Sequence, residues 1–159
     1  MKELKEKTAI LMSGPAGAGK STWAKKFVES HSNVAILSTD EIRYQLFGTY
    51  SPTENSQVEV IREIMRRVAE YSEKNVSVII DTAVTRNRNR LKWGRRLRTY
   101  YKNVELVIVD TPVETCLKQN DQRARHVPEL VIRDMCQNKE DPSPEVEECF
   151  NKIIVVKHE

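Results

Sequence analysis

The segment Gly14-Pro15-Ala16-Gly17-Ala18-Gly19-Lys20-Ser21 constrains this chain more than any other. The apolar run Thr8-Ala9-Ile10-Leu11-Met12 stands just before it and predicts a buried strand. Thr22 to Ser30 follows and predicts a helix, with Trp23, Ala24, Phe27 and Val28 at helical spacing. A glycine-rich turn between a buried strand and a helix start makes an anion cradle. The glycines let backbone N–H groups turn inward, and the helix N-terminus adds partial positive charge. The segment fits G-x-x-x-x-G-K-[ST] at every required position. In that pattern Lys20 reaches the outer phosphates of a nucleoside triphosphate and the Ser21 hydroxyl meets Mg²⁺. The expected triphosphate site, with ATP as ligand, therefore runs from Gly14 through Thr22.

Four further apolar runs predict strands: Val34–Leu37, Val76–Ile80, Val104–Val109 and Ile153–Val156. They are rich in β-branched residues and lack a period of two, as in parallel strands covered on both faces. Helical spacing fills the gaps. Val58, Ile61, Ile64, Met65, Val68 and Tyr71 form one stripe. Leu91, Leu97 and Tyr101 mark a second helix, with Gly94 as a weak point in it. Cys116, Leu117 and the segment Glu129–Met135 suggest two more, and Asp141-Pro142-Ser143-Pro144 reads as a turn. The expected fold is α/β: one domain over residues 1–159, a five-stranded parallel sheet with helices on both faces. Right-handed crossovers would bring all strand C-terminal ends to the side of the glycine loop.

At 159 residues, 39% hydrophobic and 31% charged, the composition is that of a globular domain with no apolar run of membrane-spanning length. The lysine- and glutamate-rich start, Met1–Lys7, does not resemble a signal peptide. Cys116, Cys136 and Cys149 are odd in number and widely spaced, which suits reduced thiols in the cytoplasm. His31, His126 and His158 are scattered and suggest no zinc site. Oligomerisation is left open. The net charge of +3 is small, but its distribution is uneven. Seven of the thirteen residues from Arg86 to Arg98 are Arg or Lys, whereas Glu140–Glu148 carries five acids. This segregation suggests one face built for an anion.

In such a sheet, function collects where strands end. After the second strand come Asp40 and, one helical turn on, Arg43. The carboxylate could accept a proton from an attacking hydroxyl while the arginine holds a phosphate of the acceptor. Thr39 or Asp40 could equally cap a helix beginning near Glu41. The third strand ends in Asp81, where a carboxylate would meet Mg²⁺ directly or through water. Asp110 is the weaker candidate because Thr111-Pro112 follows at once. The basic stretch, Arg86 and Arg88 included, either neutralises phosphodiesters or forms a solvated face balanced by Glu63, Glu70 and Glu73. The polar segment Asn120–Pro128 carries Arg123 and Arg125. It reads as an ordinary loop or as a lid bringing a cation to the phosphates. Asn138-Lys139-Glu140-Asp141 matches a guanine-reading motif in letters, but it follows a helical segment rather than a strand, and no D-x-x-G accompanies it.

Together these pieces resemble a known family, the 5′-polynucleotide kinases of the phage and nucleic-acid-repair type. The resemblance spans about Thr8 to Val156 and rests on the glycine loop continuing into Thr22-Trp23-Ala24, Asp40-x-x-Arg43, Ile80-Asp81-Thr82, the basic helix, Asn120-x-x-Arg123 and Val127-Pro128. It implies a kinase that moves the γ-phosphoryl group of ATP to the 5′-hydroxyl of DNA or RNA. Asp40 would be the general base, Arg43 would hold the phosphate 3′ of the terminal nucleotide, and Lys20 and Ser21 would bind phosphates and Mg²⁺. Arg123 would contact the ATP phosphates. The resemblance also favours a nucleic-acid role for the basic stretch. Two departures stand out: Ala83 replaces the Asn found in many relatives, and no Asp-x-Asp phosphatase motif is present. The nearest alternative is a kinase for a small-molecule or nucleotide acceptor; another is an ATP-gated binding module that transfers nothing.

Overall fold

Alternate residues of the predicted strands feed two separate cores, so the sheet must be covered on both sides. The computed structural model describes residues 2–124 and 126–157; Arg125 and His158, both singled out above, lie outside them. The elements in chain order are β1 (Lys2–Glu3), β2 (Thr8–Ser13), α1 (Lys20–Ser30), β3 (His31–Ser32), β4 (Val34–Ser38), α2 (Thr39–Phe47) and α3 (Glu54–Glu73). Then follow β5 (Ser77–Asp81), α4 (Asn87–Arg98), β6 (Asn103–Asp110), α5 (Val113–Asp121), α6 (Glu129–Asn138), α7 (Pro144–Cys149) and β7 (Lys152–Lys157). The main sheet has the order β4-β5-β2-β6-β7, and every pairing in it is parallel.

On one face, Ala9 and Leu11 of β2 and Val78 and Ile80 of β5 pack with Val60, Ile64 and Val68 of α3 and Trp93 and Leu97 of α4. On the other, Ile10, Met12 and Ile79 pack with Ala24 of α1, Cys116 of α5 and Ile132 of α6. All these side chains are buried. Each large aliphatic among them contributes about 1.5–3 kcal/mol of burial. Burial also pushes the Cys116 thiol up to about 12, so it stays a protonated packing residue. β2 lies at the centre. The chain lays β4 and β5 on one side of it and β6 and β7 on the other, so a crevice opens at the C-terminal end of β2.

Local signals set the helix starts. The Ser38 hydroxyl accepts from the Glu41 amide and caps α2, so neither Thr39 nor Asp40 is the cap. Thr53 and Ser56 form a reciprocal capping box at α3. Four features were not legible in the sequence. β1 pairs with β3 as a two-stranded parallel ribbon, and the acidic segment after Ser143 forms α7. Val58 is 55% exposed, and Val60 takes its place in the buried stripe with Ile64 and Val68. Gly94 is no weak point: a Cβ there would stand 2.7 Å from Cys149 Sγ and 2.9 Å from Phe150 Cζ, so its absence lets α4 meet α7.

Gly94→Ala tests that packing. The substitution gains about 1 kcal/mol of helix propensity, against an overpacking cost of about 1–3 kcal/mol. The ring of Phe150 is core and yields little, so a net loss near 1 kcal/mol is expected. Thermal melting followed by circular dichroism should show Tm lower by about 2–4 °C. A higher Tm would mean that α7 is not fixed against α4.

Candidate active site

The turn from β2 into α1 is shaped by two glycines that no other residue could replace. Gly17 has φ +80°, and a Cβ there would lie 2.3 Å from the Cys116 carbonyl oxygen. Gly14 has φ +152°, with a Cβ position 2.8 Å from the Val109 carbonyl. The loop is also braced from outside. Gln119 Nε2 donates to Gly17 O at 2.8 Å, the Thr111 hydroxyl donates to Ala18 O at 2.7 Å, and Gly14 N donates to Val84 O at 2.9 Å. Gly14, Pro15 and Ala18 form the back of the turn, while Ala16, Gly17, Gly19, Lys20, Ser21 and Thr22 border a cleft of about 250 Å³.

Opposite the loop stands Asp81, at the end of β5 and in register with Ser38. Ser21 Oγ donates to Asp81 Oδ2 at 2.7 Å. Lys20 is buried, with Nζ donating to the carbonyls of Gly14 and Pro15 at 2.9 and 2.8 Å. Burial pulls its ammonium below the ordinary lysine range; the carboxylates of Asp81 and Asp40 pull it back up, and Arg123 pushes it down again. These four charged groups therefore share one electrostatic environment.

Asp40 lies in the first turn of α2 and borders the same cleft. The Thr39 hydroxyl, 3.4 Å from Asp81 O and 3.3 Å from Thr82 Oγ1, ties that turn to the end of β5. Arg43 is 3% exposed and sits behind Asp40. Its Nη1 donates to Asp40 Oδ1 at 2.9 Å and to Tyr50 O at 3.4 Å, and its Nη2 donates to Gln57 Oε1. The arginine thus fixes the carboxylate from beneath.

Arg123 borders the cleft from the third side, with Gln119 and Gln122. Its position is set by Asn120, which is 4% exposed. The Asn120 side chain donates to Val127 O at 2.8 Å and accepts from Val127 N at 3.0 Å and from Arg123 Nη2 at 3.2 Å. Asn120 and Val127 are thus stapled together, with Arg123 at the cleft.

Loop, Asp40, Asp81 and Arg123 meet in one cleft. Asp110 does not join them; its carboxylate pairs with Lys139 at 3.0 Å. Arg86 and Arg88 stand exposed and do not border the cleft. Arg90, in the same basic stretch, is 2% exposed and bonds Ser13 Oγ at 3.1 Å, Asn87 Oδ1 at 2.8 Å and Glu140 O at 2.7 Å. Ser13 in turn donates to Val84 O at 2.6 Å, so Arg90 supports the base of the loop. Gln57, Gln119 and Gln122 leave no trace in the sequence because a lone glutamine carries no motif.

Strand order, loop and cleft define a domain of P-loop kinase type. The chain belongs to the AAA domain family, whose model matches residues 10–142. Among curated proteins it is similar to the L-seryl-tRNA(Sec) kinase of Methanococcus maripaludis, with 28% identity over 138 residues, 84% of this chain and 52% of that protein. The chain spans about half the length of that relative. Among solved structures it is similar to a chain of the Pnkp1/Rnl/Hen1 RNA repair complex, with TM-score 0.71 and 21% identity, covering 92% of this chain and 47% of the other. A sugar kinase from Janibacter sp. HTCC2649 shares the fold at TM-score 0.66 and 18% identity, over 96% of this chain and 85% of that one.

A P-loop kinase fold implies ATP and usually Mg²⁺, and the donors in the cleft suit both. The glycine turn at the N-terminus of α1 and buried Lys20 suit phosphates. The Ser21 hydroxyl and Asp81 carboxylate, already 2.7 Å apart, are the hard oxygen donors Mg²⁺ takes alongside phosphate oxygens and water. Among the described residues no cluster of three His, Cys, Asp or Glu could cage a metal by itself, and no helix is long and apolar enough to cross a membrane.

The structural role of Arg90 is open to test. Arg90→Met strips three hydrogen bonds made by a buried guanidinium, one of them to buried Ser13, an expected loss of about 2–3 kcal/mol. Tm should fall by about 4–12 °C. Unchanged melting with weakened binding of nucleic acid would instead make Arg90 a ligand-facing cation.

Proposed function

We propose that residues 1–159 form one kinase domain, acting in the cytoplasm, that transfers the γ-phosphoryl group of ATP to the 5′-hydroxyl end of a DNA or RNA strand. The observation that carries this reading is the Asp40–Arg43 pair, held 2.9 Å apart at the start of α2, with Asp40 facing the cleft of Lys20 and Ser21. Asp40 takes the proton of the acceptor hydroxyl as its oxygen bonds to the γ-phosphorus; the bond from that phosphorus to the β–γ bridging oxygen breaks, and ADP leaves. Lys20 and Arg123 offset the negative charge developing on the phosphates, and the amides after Gly17 hold them in line. Ser21 and Asp81 would hold Mg²⁺, which neutralises phosphate charge when bound. Arg43 orients Asp40, and its buried Nε, which has no hydrogen-bond partner among the described residues, is a donor available to an acceptor phosphate.

A second reading is supported by the 28% identity to the seryl-tRNA kinase. There the acceptor hydroxyl would belong to an aminoacyl group on RNA, and the same base would serve it. The experiment is transfer of labelled γ-phosphate to a single-stranded oligonucleotide ending in 5′-OH or 5′-phosphate, with seryl-tRNA alongside. Label is expected on the 5′-OH strand alone. Asp40→Asn should lower kcat by about 10²–10⁴-fold while ATP still binds. Label on seryl-tRNA alone would favour the second reading, and near-normal turnover by the variant would remove Asp40 as the base.

A further inference from the structure

Beyond Thr82 and Ala83 the cleft continues into a groove of about 240 Å³ between α3 and α4. Gln57 and Ile61 of α3 form one wall, and Asn89, Lys92, Trp93 and Arg96 of α4 form the other. Asn89, Lys92 and Arg96 are spaced i, i+3 and i+7, so they share one helix face over about 10 Å. Gln57 joins groove to cleft, since it accepts the hydrogen bond from Arg43.

The charge in this groove is one-sided, because among the described residues no acidic side chain lines it. Two of the three acids expected to balance α4 are engaged by neighbours along α3: Glu63 with Arg66 and Arg67, Glu70 with Arg66 and Lys74. Among the described residues no carboxylate lies within 4.0 Å of Lys92 or Arg96. Lys92 is exposed and bears little cost. Arg96 is half-buried, with its guanidinium carbon 5.3 Å from the centre of the Trp93 ring. Burial pulls its pKa down, and no neighbouring carboxylate opposes the effect. A half-desolvated cation without a counter-ion costs stability unless a ligand brings the anion. The tryptophan face compensates in part and fixes the guanidinium toward the groove.

We infer that the α3–α4 groove carries the acceptor strand away from the cleft, with Lys92 and Arg96 binding the phosphodiester beyond the one next to Arg43. This rests on the 5′-hydroxyl kinase reading of the cleft. It makes the acceptor a polymer rather than a mononucleotide, since a small acceptor ends before it reaches Lys92.

The test compares a single-stranded oligonucleotide with a nucleoside 3′-monophosphate, both bearing a free 5′-hydroxyl, as acceptors for wild type, Lys92→Gln/Arg96→Gln and Arg96→Lys. Wild type should favour the oligonucleotide in kcat/KM. The double variant should shrink that advantage about tenfold, through KM rather than kcat, and Arg96→Lys should retain most of it. The salt dependence of oligonucleotide affinity should become shallower by about 0.7 in log–log slope for each cation removed from the strand. Lys92 is exposed, so Lys92→Gln alone gives the same direction if removing the guanidinium from the Trp93 ring unsettles the double variant. An unchanged advantage and slope, with the oligonucleotide still phosphorylated, would overturn the groove alone. Wild type phosphorylating neither acceptor would overturn the kinase reading and the groove with it.

Discussion

Two backbones meet at Gly17 more closely than any side chain would permit, and the site depends on that approach. The start of α5 presses the Cys116 carbonyl to within 2.3 Å of where a Cβ would be. Gln119, one turn further along the same helix, donates to Gly17 O. The loop's curvature is therefore imposed by packing as well as by glycine's freedom at positive φ. The same helix ends at Asp121 and hands the chain to the segment stapled by Asn120. One element thus shapes the phosphate cradle and sets Arg123 over it, so loop and cation cannot shift independently.

The charges around the cradle follow from that geometry. Lys20 is drawn into a buried position where desolvation disfavours its ammonium, and the carboxylates of Asp81 and Asp40 work to hold its charge. Both carboxylates come from adjacent parallel strand ends, and the Thr39 hydroxyl joins them. A sheet whose strands all end at one edge places acids and cations within reach of each other with no long-range construction. Of the two acids, Asp81 faces Ser21 and Asp40 is held by Arg43. The two carboxylates therefore have different partners, a hydroxyl for one and a guanidinium for the other.

The sequence was legible wherever a single physical rule acted alone. Strands of a parallel sheet carry unbroken apolar runs, so all five were marked, although the edge strand β7 is not buried on both faces as expected and its Val155 is 52% exposed. The loop needs glycines at fixed offsets, so Gly14, Gly17 and Gly19 marked the cradle. Legibility ended where tertiary partners decide. Val58 and Val60 are equally apolar, and only the sheet's position buries Val60. Gly94 looked like a weakness because the neighbour that requires it, Phe150, lies far along the chain in an acidic stretch that gave little helical signal. Gln57, Gln119 and Gln122 act through place rather than type, and no spacing rule reveals that.

The basic stretch shows why charge counted along a chain is a poor guide to a surface. Its cations divide by helical phase. Arg90 points beneath the loop and supports Ser13 and Glu140, while Arg98 closes on Cys149 O, Lys102 O and the Asn151 side chain. Arg86, Arg88 and Arg95 face solvent. Only Lys92 and Arg96 line the groove. Two cations on a shared face with no acid opposite make a more specific feature than seven in sequence. The density of arginine on α4 thus meets a structural demand at each end of the helix and leaves an unbalanced positive strip between them. That strip begins where the cleft of Asp40 ends, since Thr82 and Ala83 line both.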